Sequence, residues 1–446
     1  MKEVTVKDYP IWHPCTQMKD HEKYPLIKIV RGKGIYLYDD KGRKYIDAIS
    51  SWWVNLFGHS NERLNNALKR QVEKLEHVIF ANFVHEPALE LTEKLLKVVP
   101  KPLSKVFFAD NGSSAIEVAM KMSFGYFKNK GEIRNKFVYL DSGYHGETLG
   151  ALSVCGEKLY SEMYKEIMIN NIRVKGPDCF RCPYGKNRNT CDAQCFDFME
   201  EALLKHKNEV CAVLIEPIVQ CAGGFKIYSP KYLQKLRKLT KELGIHLIAD
   251  EIAVGFGRTG KMFACEHAGI TPDFMTLSKG LTGGYLPLSV VLTTDEIYDA
   301  FYDDYTSLKA FLHSHSYTGN PLACAVAVEV LNIFEEENIL EKNKEKYEYL
   351  QKRVKERFLN YKFCGEVRYK GFIVAVELVK NRENKEPFDW KKRIGFQIYR
   401  KALEKGALLR NLGDIIYFMP PYVIEFDEID KLVDIAYSAT REILDK

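Results

Sequence analysis

The chain has 446 residues, long enough for two or three hydrophobic cores, and its 46% hydrophobic and 28% charged content excludes a disordered or fibrous protein. Its 65 basic and 60 acidic residues leave a net charge of +5 without any basic block interleaved with aromatics, which argues against nucleic acid as a partner. The opening Met1-Lys2-Glu3-Val4 lacks the apolar segment of a signal peptide, and no stretch is apolar enough for a membrane span. The 11 cysteines cannot all pair, so a reducing cytoplasm is expected.

Residues 31–47 alternate in polarity around Asp39-Asp40-Lys41-Gly42, a hairpin pattern, and a helix is expected over Glu62–Glu76. From Val106 onward, short apolar runs alternate with helical periodicity. The runs are 106–109, 137–140, 212–215, 247–249, 274–277 and 288–292, with helices expected from Asn111 to Phe127 and over Tyr232–Leu243. Such alternation predicts an α/β protein with a mostly parallel sheet covered on both faces. Beyond a helix near Pro321 the pattern becomes a smaller α+β unit, with strands at Phe372–Leu378 and Ile415–Met419 and a last helix near Asp427. Residues 177–197 read as an inserted loop.

Ligands of such a sheet gather at the carboxyl ends of its strands, and the residues there form an informative set. Asp110-Asn111-Gly112-Ser113-Ser114 leaves a strand and opens a helix, where backbone N–H groups cradle an anion. The same residues also suit an ordinary turn and cap. Asp250-Glu251 ends another strand, where a buried carboxylate needs a cationic partner. Lys279 follows Leu277-Ser278, placed where burial favours the free amine that imine formation requires. Tyr144-His145 adds an aromatic able to stack on a ring. Taken singly, each has a bland reading as a solvated strand end. Together they supply what pyridoxal phosphate needs: an anion cradle, an acid for the pyridine nitrogen and a lysine.

Several segments resemble the signature of the class III aminotransferases. They are Ile248-Ala249-Asp250-Glu251-Ile252, Gly255-Phe256-Gly257-Arg258-Thr259-Gly260, Leu277-Ser278-Lys279-Gly280 and Gly319-Asn320-Pro321-Leu322-Ala323. The resemblance implies a fold-type I transferase, with a seven-stranded sheet in a large cofactor-binding domain at 81–330. The smaller domain is then built from both termini, residues 1–80 and 331–446. Within the class, Trp12-His13-Pro14-Cys15, Ser50-Ser51-Trp52-Trp53, Ser142-Gly143-Tyr144-His145-Gly146, Arg410 and Ile416-Tyr417-Phe418 resemble the branch that aminates 8-amino-7-oxononanoate in biotin biosynthesis. S-adenosylmethionine or lysine is the donor in that branch.

The resemblance also implies roles. Lys279 links to the cofactor and moves protons, Asp250 pairs with its ring nitrogen, and Tyr144 stacks on the ring. Gly112, Ser113 and Thr318 bind its phosphate, Thr318 from the second subunit of a homodimer, and Gln220 lies near the ring hydroxyl. Trp52, Trp53, Tyr417 and Gly284 line the substrate pocket, and Arg410 takes the keto-acid carboxylate. Cys15, Glu147 and Asn411 depart from the usual residues; the first two lie near the region that receives the amino donor and leave the donor open, and Asn411 follows Arg410.

The spacing Cys179-x-x-Cys182 with Cys191 and Cys195 is able to hold a metal or an iron–sulfur cluster, and equally describes free thiols in a surface loop. The alternatives to the leading reading are a class III enzyme acting on an ω-amino acid or diamine, and an aminomutase or decarboxylase on the same fold. A metal-binding scaffold would have no use for Lys279, Asp250 and Gly112-Ser113 together. A nicotinamide dehydrogenase is disfavoured because no Gly-x-Gly-x-x-Gly follows the first strand of the large domain.

Overall fold

The structure, a computed structural model, describes residues 9–445. Seven strands form the main sheet: β1 (Lys105–Ala109), β2 (Lys136–Leu140), β3 (Ile172–Val174), β4 (Val210–Ile215), β5 (His246–Asp250), β6 (Phe274–Leu277) and β7 (Ser289–Thr293). Their order is β1-β7-β6-β5-β4-β2-β3, and every pair is parallel except the two made by β7 with β6 and β1. Every residue of β4, β5, β6 and β7 is buried, which is why these strands read as unbroken apolar runs. The edge strand β3 was not among the expected runs. It is three residues long with exposed Arg173 at its centre, and it pairs only with β2.

Helix α1 (Gly112–Asn129) leaves β1 with Asn111 as its cap, the Asn111 side chain accepting from the Ser114 N–H at 3.0 Å. Helix α2 (Pro230–Glu242) starts from Ser229 with proline in its first turn and buries Tyr232, Leu233, Leu236 and Leu239, an amphipathic stripe. Helix α3 (Pro321–Glu336) is capped by Asn320, which accepts from both Leu322 N and Ala323 N. The helix expected over 62–76 ends at Val72. No helix among the described residues is long and apolar enough to cross a membrane.

Near the N-terminus the expected single hairpin is a three-stranded meander, Ile29–Lys33, Tyr36–Asp39 and Lys44–Asp47. Its second turn closes on the Asp39 carboxylate, which accepts from Lys41 N, Arg43 N, Arg43 Nε and Tyr45 Oη. A first turn passes through Gly34 at φ 57, a left-handed conformation that suits glycine. Ala407–Leu408 adds to this sheet in parallel with Lys44–Asp47, joining the two ends of the chain. A further four-stranded antiparallel sheet comprises Cys364–Lys370, Ile373–Leu378, Ile415–Phe418 and Asn411–Leu412.

The cysteine-bearing stretch at 177–197 is docked rather than freely inserted. Arg181 pairs with Glu377 and Arg188 with Glu366, both on the C-terminal sheet, and the Lys385 ammonium donates to the Phe180 carbonyl at 2.5 Å. Among the described residues no three His, Cys, Asp or Glu side chains come together to hold a metal ion, and Cys179, Cys182, Cys191 and Cys195 are free thiols. Burial raises Cys179 to about 12 and Cys195 to about 11, which keeps both protonated at neutral pH.

Candidate active site

The carboxyl ends of β1, β2, β4, β5 and β6 open into one cavity of about 590 Å³. The cavity is walled by Trp52, Trp53, Gly112, Ser113, Tyr144, Asp250, Lys279 and Gly284, eight residues expected from the sequence at widely separated positions. Lys279 is the first residue of a short turn after β6 and holds φ at 46°, a left-handed conformation uncommon for any residue but glycine. Its ammonium lies 5.1 Å from the centre of the Trp53 ring. Burial lowers the Lys279 pKa, while Asp250, Cys221 and Glu216 act in the opposite direction.

Asp250 ends β5 and is almost wholly buried; its Oδ2 accepts from His145 Nδ1 at 2.8 Å and its Oδ1 from the Ile252 N–H at 3.1 Å. Its neighbour Glu251 turns away from the cavity and finds backbone rather than a cation, accepting from Ala264 N and Cys265 N. Burial pushes Glu251 up to about 7. Glu216, at the end of β4, also rises to about 7 on burial and accepts from Tyr144 N and Cys221 N. Glu216 therefore braces the loop that presents Tyr144. The Tyr144 hydroxyl donates to Glu147 at 2.8 Å, and burial followed by that carboxylate raises its pKa.

Ser113 stands at the N-terminus of α1, its Oγ 2.7 Å from Thr148 Oγ1 and accepting from the Thr148 N–H. A Cβ on Gly146, at φ 126, would lie 2.4 Å from Ser113 Oγ, and one on Gly112 would meet Ile252 at 3.0 Å. The close approach that shapes this cradle therefore needs glycine at 146, while a side chain at 112 would require Ile252 to give way.

The aromatic wall rests on an unusual backbone. Ser50, Ser51, Trp52 and Trp53 all have positive φ, at 51°, 46°, 77° and 74°, forming a left-handed turn closed by Trp53 N to Ile49 O at 2.7 Å. Such a conformation costs about 1 to 2 kcal/mol per residue, so neighbouring bonds must over-determine it. They do: Asp47 accepts from Ile49 N, Ser51 N and Ser51 Oγ, and Ser50 Oγ donates to the Met419 carbonyl. The fully buried Arg258 donates to the carbonyls of Asn55 and Pro420 at 2.9 and 2.8 Å. Arg258 lay inside a recognised motif, yet nothing local in the sequence assigned it this clamp, and Asp47 and Glu216 carried no signal at all.

The remaining expected residues divide. Arg410 lines an adjoining cavity together with Cys15, Trp52, Glu147 and Tyr160, and its guanidinium stacks 3.9 Å from the centre of the Trp52 ring. Tyr417 lies behind Trp53 and accepts from the indole N–H at 3.2 Å. Gln220 is buried off the cavity wall, and neither atom of its amide has a partner among the described residues. Thr318 is not on this cavity; its hydroxyl donates to the His315 carbonyl.

A glycine-shaped cradle at a helix N-terminus, a buried carboxylate, an aromatic wall and a lysine fit pyridoxal phosphate.

The profile described as Aminotransferase class-III matches residues 17–439. The adenosylmethionine-8-amino-7-oxononanoate aminotransferase of Helicobacter pylori is 44% identical over 442 residues, 98% of this chain and 96% of that one. The enzyme of that name from Geobacter sulfurreducens is 42% identical, with 96% of each chain covered. A crystal structure of the Methanocaldococcus jannaschii enzyme of that name superposes with a TM-score of 0.92 at 39% identity, covering 98% and 97% of the two chains. An omega transaminase from Pseudomonas jessenii in complex with PMP gives 0.93 at 32% identity, covering 99% and 97%. The fold is thus that of the pyridoxal-phosphate-dependent transaminases, and the chain belongs to the class III aminotransferases.

Proposed function

We propose that the protein transfers an amino group to 8-amino-7-oxononanoate, giving 7,8-diaminononanoate for biotin biosynthesis, with S-adenosylmethionine or lysine as donor. The observation that carries this reading is the Arg410–Trp52 stack where the two cavities meet. It offers a fixed guanidinium fork for a carboxylate beside an aromatic wall for an aliphatic chain. The names of the relatives support the same acceptor.

Bound pyridoxal phosphate supplies an electron-withdrawing ring that takes up the electron pair of the substrate C–H bond. In our reading, the Lys279 amine attaches the cofactor and then carries the proton. Asp250, oriented by His145, sets a negative charge opposite the ring nitrogen. Tyr144 would wall the ring, and Gln220, whose buried amide is unpartnered among the described residues, would be the partner of its hydroxyl. Gly112 and Ser113 hold the phosphate at the dipole-positive end of α1. Thr318 would complete that cradle across a homodimer, a reading supported by its absence from the walls of its own cavity and by the exposed Ile79, Phe83, Val84 and Tyr317. Glu147 offers a carboxylate to a cationic donor. The free cysteines suit a reducing cytoplasm.

The test is a single-turnover absorbance assay on purified holoenzyme, offering each donor separately and then the keto acid. Bleaching of the cofactor band by one donor and its return with 8-amino-7-oxononanoate is expected. Failure of the keto acid to restore the band would shift the assignment to a class III enzyme acting on other amines. Arg410→Ala should raise KM for the keto acid by about tenfold to a hundredfold, the value of a charge-assisted pair, with the cofactor retained. An unchanged KM would remove Arg410 from the acceptor site.

A further inference from the structure

Four titratable side chains outside the cavity's chemistry form a continuous line. Lys121 Nζ lies 2.9 Å from His313 Nδ1, His313 Nε2 lies 3.2 Å from His315 Nε2, and His315 Nδ1 lies 3.2 Å from Asp110 Oδ2. The line joins three pieces of structure: the flank of α1, the segment before Thr318, and the end of β1 where Asp110 borders the cavity beside Gly112 and Ser113. His315 also ties in Thr318 directly, since its N–H donates to the Thr318 hydroxyl at 3.0 Å and its carbonyl accepts from it.

The ends of the line fix every proton within it. A charged lysine has donors and no acceptor, and an ionised aspartate has acceptors and no donor. Lys121 must donate to Nδ1 of His313, so neutral His313 carries its proton on Nε2. That proton points at Nε2 of His315, which must be bare, so His315 carries its proton on Nδ1 and donates it to Asp110. Only this one order satisfies all three contacts.

We infer that Lys121, His313, His315 and Asp110 form a one-directional hydrogen-bond chain that positions the phosphate cradle and the Thr318 segment while both imidazoles are neutral. One added proton on either ring sets two N–H groups against each other, and reversing His313 to relieve that clash turns an N–H on Lys121. Acid therefore breaks the chain at one joint or the other. The charged groups facing His313 are Lys121 and Glu117 from α1 and His315 from its own segment; burial first, then Lys121 and His315, lower its pKa from the ordinary histidine value. With the His313 pKa lowered, the chain is intact at neutral pH and fails in acid, below the ordinary histidine range.

The effect on the cofactor rests on the pyridoxal-phosphate reading above, whereas the proton order does not. Nitrogen-15 NMR of histidine-labelled holoenzyme, assigned with single variants, should show His313 protonated at Nε2 and His315 at Nδ1; any other neutral pair overturns the inference whatever the enzyme binds. Cofactor release from diluted holoenzyme gives the functional test. His313→Gln combined with His315→Gln keeps the donor order without a titrating ring, and should match wild type at neutral pH. At a pH about one unit below the histidine value, wild type should release cofactor about tenfold faster than this variant, the scale of one charged hydrogen bond. Lys121→Met leaves Asp110 to set the order at neutral pH but lets His313 reverse when His315 gains a proton, so this variant should release cofactor as wild type does at neutral pH and show little acid acceleration. Acid acceleration equal to that of wild type in either the double variant or Lys121→Met would refute the chain. Normal cofactor retention in all of them would leave the proposed function standing.

Discussion

Lys279→Ala should lower kcat by at least about 10⁴-fold, the upper end of what one positioned acid–base group supplies, and should leave no cofactor covalently retained after borohydride reduction. The expectation follows from geometry as much as from residue type. Lys279 leaves β6 with its backbone held left-handed, its ammonium is set against Trp53, and burial disfavours the charged form. The nearby carboxylates Asp250 and Glu216 act against that burial without reversing its direction. Alanine removes the nucleophile and the proton carrier together while leaving the cradle of α1 intact. Reduced protein that still carries cofactor, or turnover near wild type, would sink the assignment.

Asp250→Asn is expected to lower kcat by about 10² to 10³-fold, the range for removing one preorganised electrostatic group, with the KM values changed far less. The substitution is close to isosteric. Its amide oxygen can still accept from His145 Nδ1 or the Ile252 N–H, so charge is lost with little change of shape. Steady-state kinetics beside the absorbance spectrum of the purified variant check it. A kcat within about threefold of wild type would mean that the carboxylate serves the fold rather than the chemistry.

Much of this arrangement could be read from the chain. β4, β5, β6 and β7 announced themselves because burial on both faces writes an apolar run, and β1 and β2 because most of their residues are apolar, whereas β3 did not because its central Arg173 is exposed. Lys279, Asp250 and Tyr144 were legible because strand ends in an open sheet are where ligands gather. What supports them was not. His145 meets Asp250 across 105 positions, and Arg258 reaches Asn55 across 203. The docking of the 177–197 stretch depends on Arg181 and Arg188 finding Glu377 and Glu366 almost two hundred residues away. Pairings of this kind leave no periodicity behind. The left-handed turn at Ser50–Trp53 was equally silent, because no glycine marks it.

That turn changes how the pocket can be altered. Emptying a packed wall ordinarily destabilises a protein, because a large side chain leaves a cavity behind. Trp52 is 37% exposed and sits at φ 77, a conformation glycine adopts without penalty. A glycine there would relieve backbone strain in the same step that it opened room for a bulkier substrate. The offset makes this wall a place where substrate range can drift with little loss of foldedness, provided Asp47 and Arg258 keep the rest of the turn in hand.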